Sequence, residues 1–118
     1  MGEGARRVLA LAHAVAAGLM AATLVLWSPY MFHVAMLVVL HVATSYGFLR
    51  AQPWAPWLVG IATAMGVVFA AISAYVPIAL VGYTIEACLL LAGLIAYAGL
   101  LVASLAYAVF RRKEFSAT

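Results

Sequence analysis

Three histidines and one glutamate are the residues of this sequence whose types and spacing could do chemistry. His13, His33 and His41 lie within long apolar runs, and Glu86 lies at the start of another. Ionisable side chains are costly to bury in apolar segments, so each of the four is a candidate functional residue. Histidine is the least costly of them, because its imidazole can be neutral near pH 7.

His13 and His41 form the first candidate pair, as ligands of a cofactor. If they lie on neighbouring antiparallel helices, the two side chains differ in depth by about 4–5 Å, given a rise of ~1.5 Å per residue. Two facing imidazoles at similar depth are the ligand set of a b-type haem. In the interpretation that we favour, each imidazole is structural and hydrogen-bonds a neighbour such as Ser45, one turn from His41. We expect no cofactor, and haem b at His13 and His41 is the alternative hypothesis.

His33 and Glu86 form the second candidate pair, a polar contact near one end of the helices. Thr84 precedes Glu86 at the spacing of a helix N-cap, and an acidic side chain is favourable in the first turn of a helix. Glu86 therefore has a second interpretation, as a helix-start residue that faces lipid headgroups.

The composition indicates the environment of these residues. Of 118 residues, 69% are hydrophobic and 8% are charged, whereas soluble domains are about 45–50% apolar and about 25% charged. This composition excludes a soluble enzyme, a disordered tail and a nucleic-acid-binding domain. The single cysteine excludes an intrachain disulfide.

The charged residues divide the chain into apolar runs that can supply four membrane-spanning helices. The charge-free runs are 8–49, 51–85 and 87–110, and a spanning helix needs about 20 apolar residues. Ser28 and Pro29 interrupt the first run and are typical of a helix start, while Pro77 opens a short apolar loop up to Tyr83. We predict one all-α transmembrane domain over 1–118, with helices at about 8–27, 30–49, 57–76 and 85–110.

The positions of the basic residues predict the orientation. All six lie near the two termini or in the loop between the second and third helices: Arg6, Arg7, Arg50, Arg111, Arg112 and Lys113. Basic residues concentrate on the cytoplasmic side of membrane proteins. We therefore expect a multi-pass protein of the cell membrane with both termini in the cytoplasm, and we read the net charge of +3 as a topology signal.

Small residues at four-residue spacing predict where helices pack. One row lies in the first helix and another in the third: Ala14, Gly18 and Ala22, and Ala62, Gly66 and Ala70. Small residues let helix backbones approach closely in lipid. The sequence does not indicate whether either face meets a helix of the same chain or of another subunit.

These features favour a non-enzymatic function. We expect an accessory or structural subunit of a membrane complex, or a homo-oligomer, whose partners are the lipid bilayer and other membrane subunits or further copies of the chain. One alternative is a membrane anchor for electron transfer that binds haem b or a quinone through His13 and His41. The other is a small transporter or channel. A nucleic-acid partner is not expected.

Overall fold

Four long helices make up almost all of the structure, a computed structural model that describes residues 2–26 and 32–115. They are α1 (Gly2–Leu26), α2 (Phe32–Leu49), α3 (Ala55–Val81) and α4 (Ile85–Phe110), and a 3₁₀ turn at Arg112–Phe115, the C-terminal turn, follows them. Each helix is long and apolar enough to cross a membrane. The predicted all-α class with four helices of spanning length is confirmed.

The helices are arranged as two hairpins. α1 packs along α2, α3 packs along α4, and α2 against α3 joins the hairpins, whereas α1 and α4 touch only slightly. The bundle measures 50 × 25 × 20 Å. Successive helices are antiparallel, so one end of the bundle holds the first residues of α1 and α3 and the last residues of α2 and α4. We call it the terminal end. The opposite end is the far end.

The core of the terminal end is closed by aromatic side chains. Phe48 near the end of α2 and Phe115 in the C-terminal turn are both almost completely buried, with ring centroids 5.2 Å apart. Small residues of the other helices complete this cluster: Ala10, Ala55, Val59 and Ala108. The C-terminal turn therefore covers the end of the bundle and contributes a core side chain.

The first helix begins earlier than predicted, whereas the second ends at the predicted residue. α1 begins at Gly2 and not near residue 8. Its first turn carries an ion pair between Glu3 and Arg7, one turn apart, a spacing that supports a helix beyond its apolar segment. α2 is described from Phe32, so the predicted helix start at Ser28 and Pro29 lies outside the described residues.

The loop predicted after residue 76 is wrong, because α3 continues through Pro77 to Val81. Proline removes one backbone donor, but proline is tolerated inside apolar spanning helices, where neighbouring groups can satisfy the freed carbonyl. The helix ends only at Gly82, whose φ of +78° suits glycine. Thr84 then caps α4, since its side chain accepts a hydrogen bond from the Ala87 N–H at 3.1 Å.

The turn from α2 to α3 has an unusual residue in the left-handed conformation. The N–H of Gln52 donates to the Gly47 carbonyl at 2.9 Å, and the N–H of Ala51 donates to the Phe48 carbonyl at 3.3 Å. This pair of bonds is the Schellman motif, which normally has glycine at the left-handed position. Here that position is Ala51, with a φ of 51°.

Candidate functional site: a buried histidine pair

His13 and His41 lie side by side in the middle of the bundle. Their Nδ1 atoms are 2.8 Å apart and hydrogen-bonded, the ring centroids are 5.0 Å apart, and both side chains are fully buried. The α1–α2 hairpin brings them together, since both lie on the faces that these two helices turn toward each other. The structure therefore places at one point the two histidines that the sequence singled out.

The outer nitrogens of this pair are both held by α4. His13 Nε2 is hydrogen-bonded to Ser104 Oγ at 2.8 Å, and His41 Nε2 is hydrogen-bonded to Tyr97 Oη at 2.6 Å. Tyr97 and Ser104 are two helical turns apart and so share one face of α4. The four side chains form a continuous hydrogen-bonded chain, which we call the histidine chain, and it ties α1 and α2 to α4.

The hydrogen bonds of the histidine chain can run in either of two opposite directions. With two neutral imidazoles, either Ser104 donates to His13, His13 to His41 and His41 to Tyr97, or every donor and acceptor is exchanged. Within the described residues neither terminal hydroxyl has a second hydrogen-bond partner. One hydroxyl proton therefore lacks a protein acceptor in each direction, at Tyr97 in the first and at Ser104 in the second.

A b-type haem does not fit between these histidines as they are arranged. Its iron would have to lie between one nitrogen of each ring, but the facing nitrogens are in direct hydrogen-bond contact at 2.8 Å. The other two nitrogens are engaged by Ser104 and Tyr97. The arrangement fits the structural interpretation of the two histidines. The partner of His41 is Tyr97 and not Ser45, which donates to the Ala10 carbonyl at 2.7 Å.

Gly66 on α3 makes room for the end of the histidine chain. A Cβ added at Gly66 would lie 2.6 Å from the Tyr97 hydroxyl oxygen, which is far inside van der Waals contact. Nearby, Thr63 donates to the Val59 carbonyl at 2.7 Å. Among the described residues, the buried hydroxyl of Thr44 has no hydrogen-bond partner, and the structure offers no physical reason for it.

The two rows of small residues have opposite surroundings. Ala62, Gly66 and Ala70 are buried, and Gly66 lies against Tyr97 and Leu101 of α4. Ala14, Gly18 and Ala22 are exposed, and a Cβ added at Gly18 would meet nothing within 4 Å. The row in α1 therefore does not pack within the chain, although its spacing is the same.

The structure does not bring His33 and Glu86 together. Both side chains are exposed, and the ring of His33 lies 5.8 Å from that of Phe69 on α3. No hydrogen bond or ion pair joins His33 to Glu86 in the part of the chain that the structure describes. Glu86 lies in the first turn of α4, beside the Thr84 cap, as in its second interpretation.

A wide apolar cleft opens toward the far end, where α1 and α4 diverge. Its volume is about 730 Å³. The walls are almost entirely apolar, and Tyr97 contributes to them. Tyr97 is therefore both a wall of the cleft and one end of the histidine chain. The sequence carried a weak signal for this residue, because Tyr97 and Ser104 are polar groups at a two-turn spacing in an apolar helix.

A second polar cluster lies at the terminal end around Glu114. Its carboxylate accepts hydrogen bonds from Tyr107 Oη at 2.5 Å and from Arg111 Nε at 3.0 Å, and it pairs with Arg6 Nη1 at 3.5 Å. The hydrogen bond from Tyr107 is the main cause that lowers the pKa of Glu114, and Arg111 and Arg6 lower it further. The cluster joins the start of α1 to the C-terminal turn.

No protein-family model, curated protein or solved structure matches the chain. The basis for a functional proposal is therefore the arrangement of its own side chains.

Proposed function

We propose that this chain is a small multi-pass protein of the cell membrane that acts by assembling, either with itself or with other membrane subunits. One observation carries the proposal: Ala14, Gly18 and Ala22 form a small-residue face on α1 that points away from the chain's own bundle. Such faces promote close helix packing in lipid, where no hydrophobic force drives helices together. Its counterpart in α3, around Gly66, already packs against α4.

The histidine chain supports a structural role for the interior of the bundle. All four ring nitrogens of His13 and His41 are engaged by protein groups, and hydrogen bonds within a buried network restrict how the helices can pack. The histidine chain fixes the rotation of α1, α2 and α4 about their axes. That fixed rotation would keep the outward face of α1 available to a partner helix.

The proposed orientation puts both termini in the cytoplasm. The terminal end carries all six basic residues, which favours that end as the cytoplasmic one. A topology reporter fused to either terminus should be read in the cytoplasm. A signal from the opposite side of the membrane for either fusion would contradict the orientation.

The assembly proposal is tested by Gly18→Leu. The variant should fold as the wild-type chain does, because an added side chain at Gly18 meets no atom of the chain, but its mass in a mild detergent should fall to that of a smaller assembly or a monomer. Ala71→Leu is the matched control, since it adds similar bulk to an exposed site on α3, and it should stay assembled. Equal masses for the wild type and both variants would overturn the proposed role of this face.

A second candidate function, binding of an isoprenoid quinone, is favoured by the position of Tyr97. When His41 donates to Tyr97, the hydroxyl proton of Tyr97 has no protein acceptor within the described residues, and a quinone carbonyl in the cleft would accept it. The apolar walls of the cleft suit an isoprenoid tail. Mass spectrometry of lipids extracted from the purified protein tests this function. Tyr97→Phe should lose the quinone, and Ser104→Ala should retain it. Absence of quinone from the wild type removes this candidate.

A further inference from the structure

A groove with basic residues at its rim lies at the terminal end, between α3 and α4. It runs between the start of α3 and the end of α4 and has a volume of about 800 Å³. Trp57, Ile61, Leu105 and Val109 line its length, and the buried Phe115 closes its inner wall.

The sequence of α3 keeps this groove open. Gly60 has no side chain, and a Cβ placed there would have Leu105 as its nearest neighbour at 4.0 Å. One turn before it, Trp57 lines the groove and is 81% exposed. Tryptophan rings favour the headgroup level of a bilayer, so the groove extends from that level into the hydrocarbon.

The rim of the groove is positively charged. Arg112 and Lys113 line it, and both are exposed. Among the described acidic residues of this end, Glu3 is paired with Arg7, and Glu114 with Arg6 and Arg111. Within residues 2–26 and 32–115, Arg112 has no ion pair, so its charge is directed to the surroundings of the protein.

We infer that this groove binds one anionic phospholipid, with an acyl chain between α3 and α4 and the phosphate at Arg112 and Lys113. Basic residues between spanning helices at the cytoplasmic side attract acidic headgroups. The apolar length of the groove distinguishes a lipid from a free phosphate, which would gain nothing from Trp57, Ile61 and Leu105. The inference rests on the membrane embedding proposed above, and it does not depend on assembly through α1.

Native mass spectrometry of the full chain in detergent, titrated with phosphatidylglycerol or phosphatidylcholine, tests the charge. One phosphatidylglycerol should bind with clear preference. Arg112→Gln/Lys113→Gln should weaken its binding about 25-fold, at roughly a factor of five for each base near the membrane surface. Arg7→Gln/Arg50→Gln is the matched control: it removes the same charge from the same end but does not touch the groove. An equal loss in both double variants would mean nonspecific attraction and would overturn the site.

Two further measurements test the apolar part. Gly60→Leu fills the groove while it keeps both bases, and it should reduce the binding of phosphatidylglycerol. Phosphatidylglycerol with brominated chains should quench the fluorescence of the wild type more than that of Trp57→Phe. Displacement of the lipid by millimolar inorganic phosphate, or unchanged binding in Gly60→Leu, would identify a phosphate site without a lipid chain and would overturn the inference.

Failure of the lipid site is distinguishable from failure of membrane embedding. A chain that is released from membranes by alkaline extraction contradicts the embedding. A chain that stays in the membrane but shows no preference for phosphatidylglycerol contradicts the lipid site alone.

Discussion

The terminal end and the far end of the bundle are held together in different ways. At the terminal end Phe48 and Phe115 are buried against one another, and Glu114 bridges Arg6, Tyr107 and Arg111. Toward the far end α1 and α4 diverge around the apolar cleft. The histidine chain lies between these two regions and is the last polar connection before the cleft.

If the helices span a membrane as proposed, this difference indicates which residues close a helix bundle in lipid. Leucine and alanine side chains gain little from each other in lipid, because the acyl chains are equally apolar. Aromatic rings, an ion pair and hydrogen bonds join the helices at the terminal end and in the middle of the bundle, whereas the walls of the cleft are almost entirely apolar.

A matched pair of phenylalanine truncations gives the largest expected contrast. Phe115→Ala should destabilise the protein by about 3–5 kcal/mol, as for a fully buried aromatic side chain. Phe69→Ala removes a ring that borders the open cleft, so its cost should be clearly smaller. Thermal unfolding in detergent measures both. Equal losses would mean that the far end is packed as tightly as the terminal end.

Two glycine substitutions distinguish the packed face of α3 from the exposed face of α1. Gly66→Leu should destabilise the fold by about 1–3 kcal/mol or more, because the new side chain collides with Tyr97 and Leu101. Gly18→Leu should leave the melting profile of the dissociated monomer unchanged. A stable Gly66→Leu variant would contradict the packing of α3 on α4.

The histidine chain should respond as a unit. Tyr97→Phe and Ser104→Ala each leave a buried ring nitrogen without its partner, at a cost of about 1–3 kcal/mol. Their hydroxyls do not touch, yet both set the direction of the same chain of protons. The double variant should therefore deviate from additivity by at least about 0.5 kcal/mol. Strict additivity would mean that the two ends are independent.

Ala51→Gly should stabilise the protein at the terminal end. Ala51 has a positive φ, a conformation that costs a residue with a Cβ about 1–2 kcal/mol and costs glycine little. The free energy of unfolding should rise by about 1 kcal/mol, and lipid binding should not change. An unchanged or lower stability would show that contacts of the Ala51 methyl group outweigh its strain.

The smallest expected effect is a pH dependence of the terminal end. Because the pKa of Glu114 is lowered in the folded protein, its contribution to stability is present above the ordinary carboxyl pKa and is lost as the pH falls through the lowered value. The melting temperature of the wild type should therefore fall below about pH 4.5 more than that of Glu114→Gln. Parallel curves for the two proteins would exclude Glu114 as the cause.

The helices and the histidine pair could be predicted from the sequence for physical reasons. Charge-free runs set the helices, since lipid tolerates few charges, and depth along antiparallel helices placed His13 opposite His41. Tyr97 and Ser104 could not be identified, because helix length does not fix how α4 is rotated about its axis. Gly18 and Gly66 have the same sequence signature, and only tertiary packing distinguishes them. The loop predicted at Pro77 is wrong because proline does not always end a long apolar helix, and α3 continues through it.

The bridging of two histidines to α4 has a consequence for how the chain is made. If the helices insert into a membrane as proposed, α1 and α2 emerge first during synthesis and can pair at once, but the outer nitrogens of His13 and His41 would then face lipid without Ser104 and Tyr97. A nascent hairpin of this kind displays two polar groups in lipid until the last helix arrives. A chain that stalls or is truncated before α4 is thereby marked as unfinished, and membrane quality-control proteases that recognise exposed polar groups in the bilayer should degrade it.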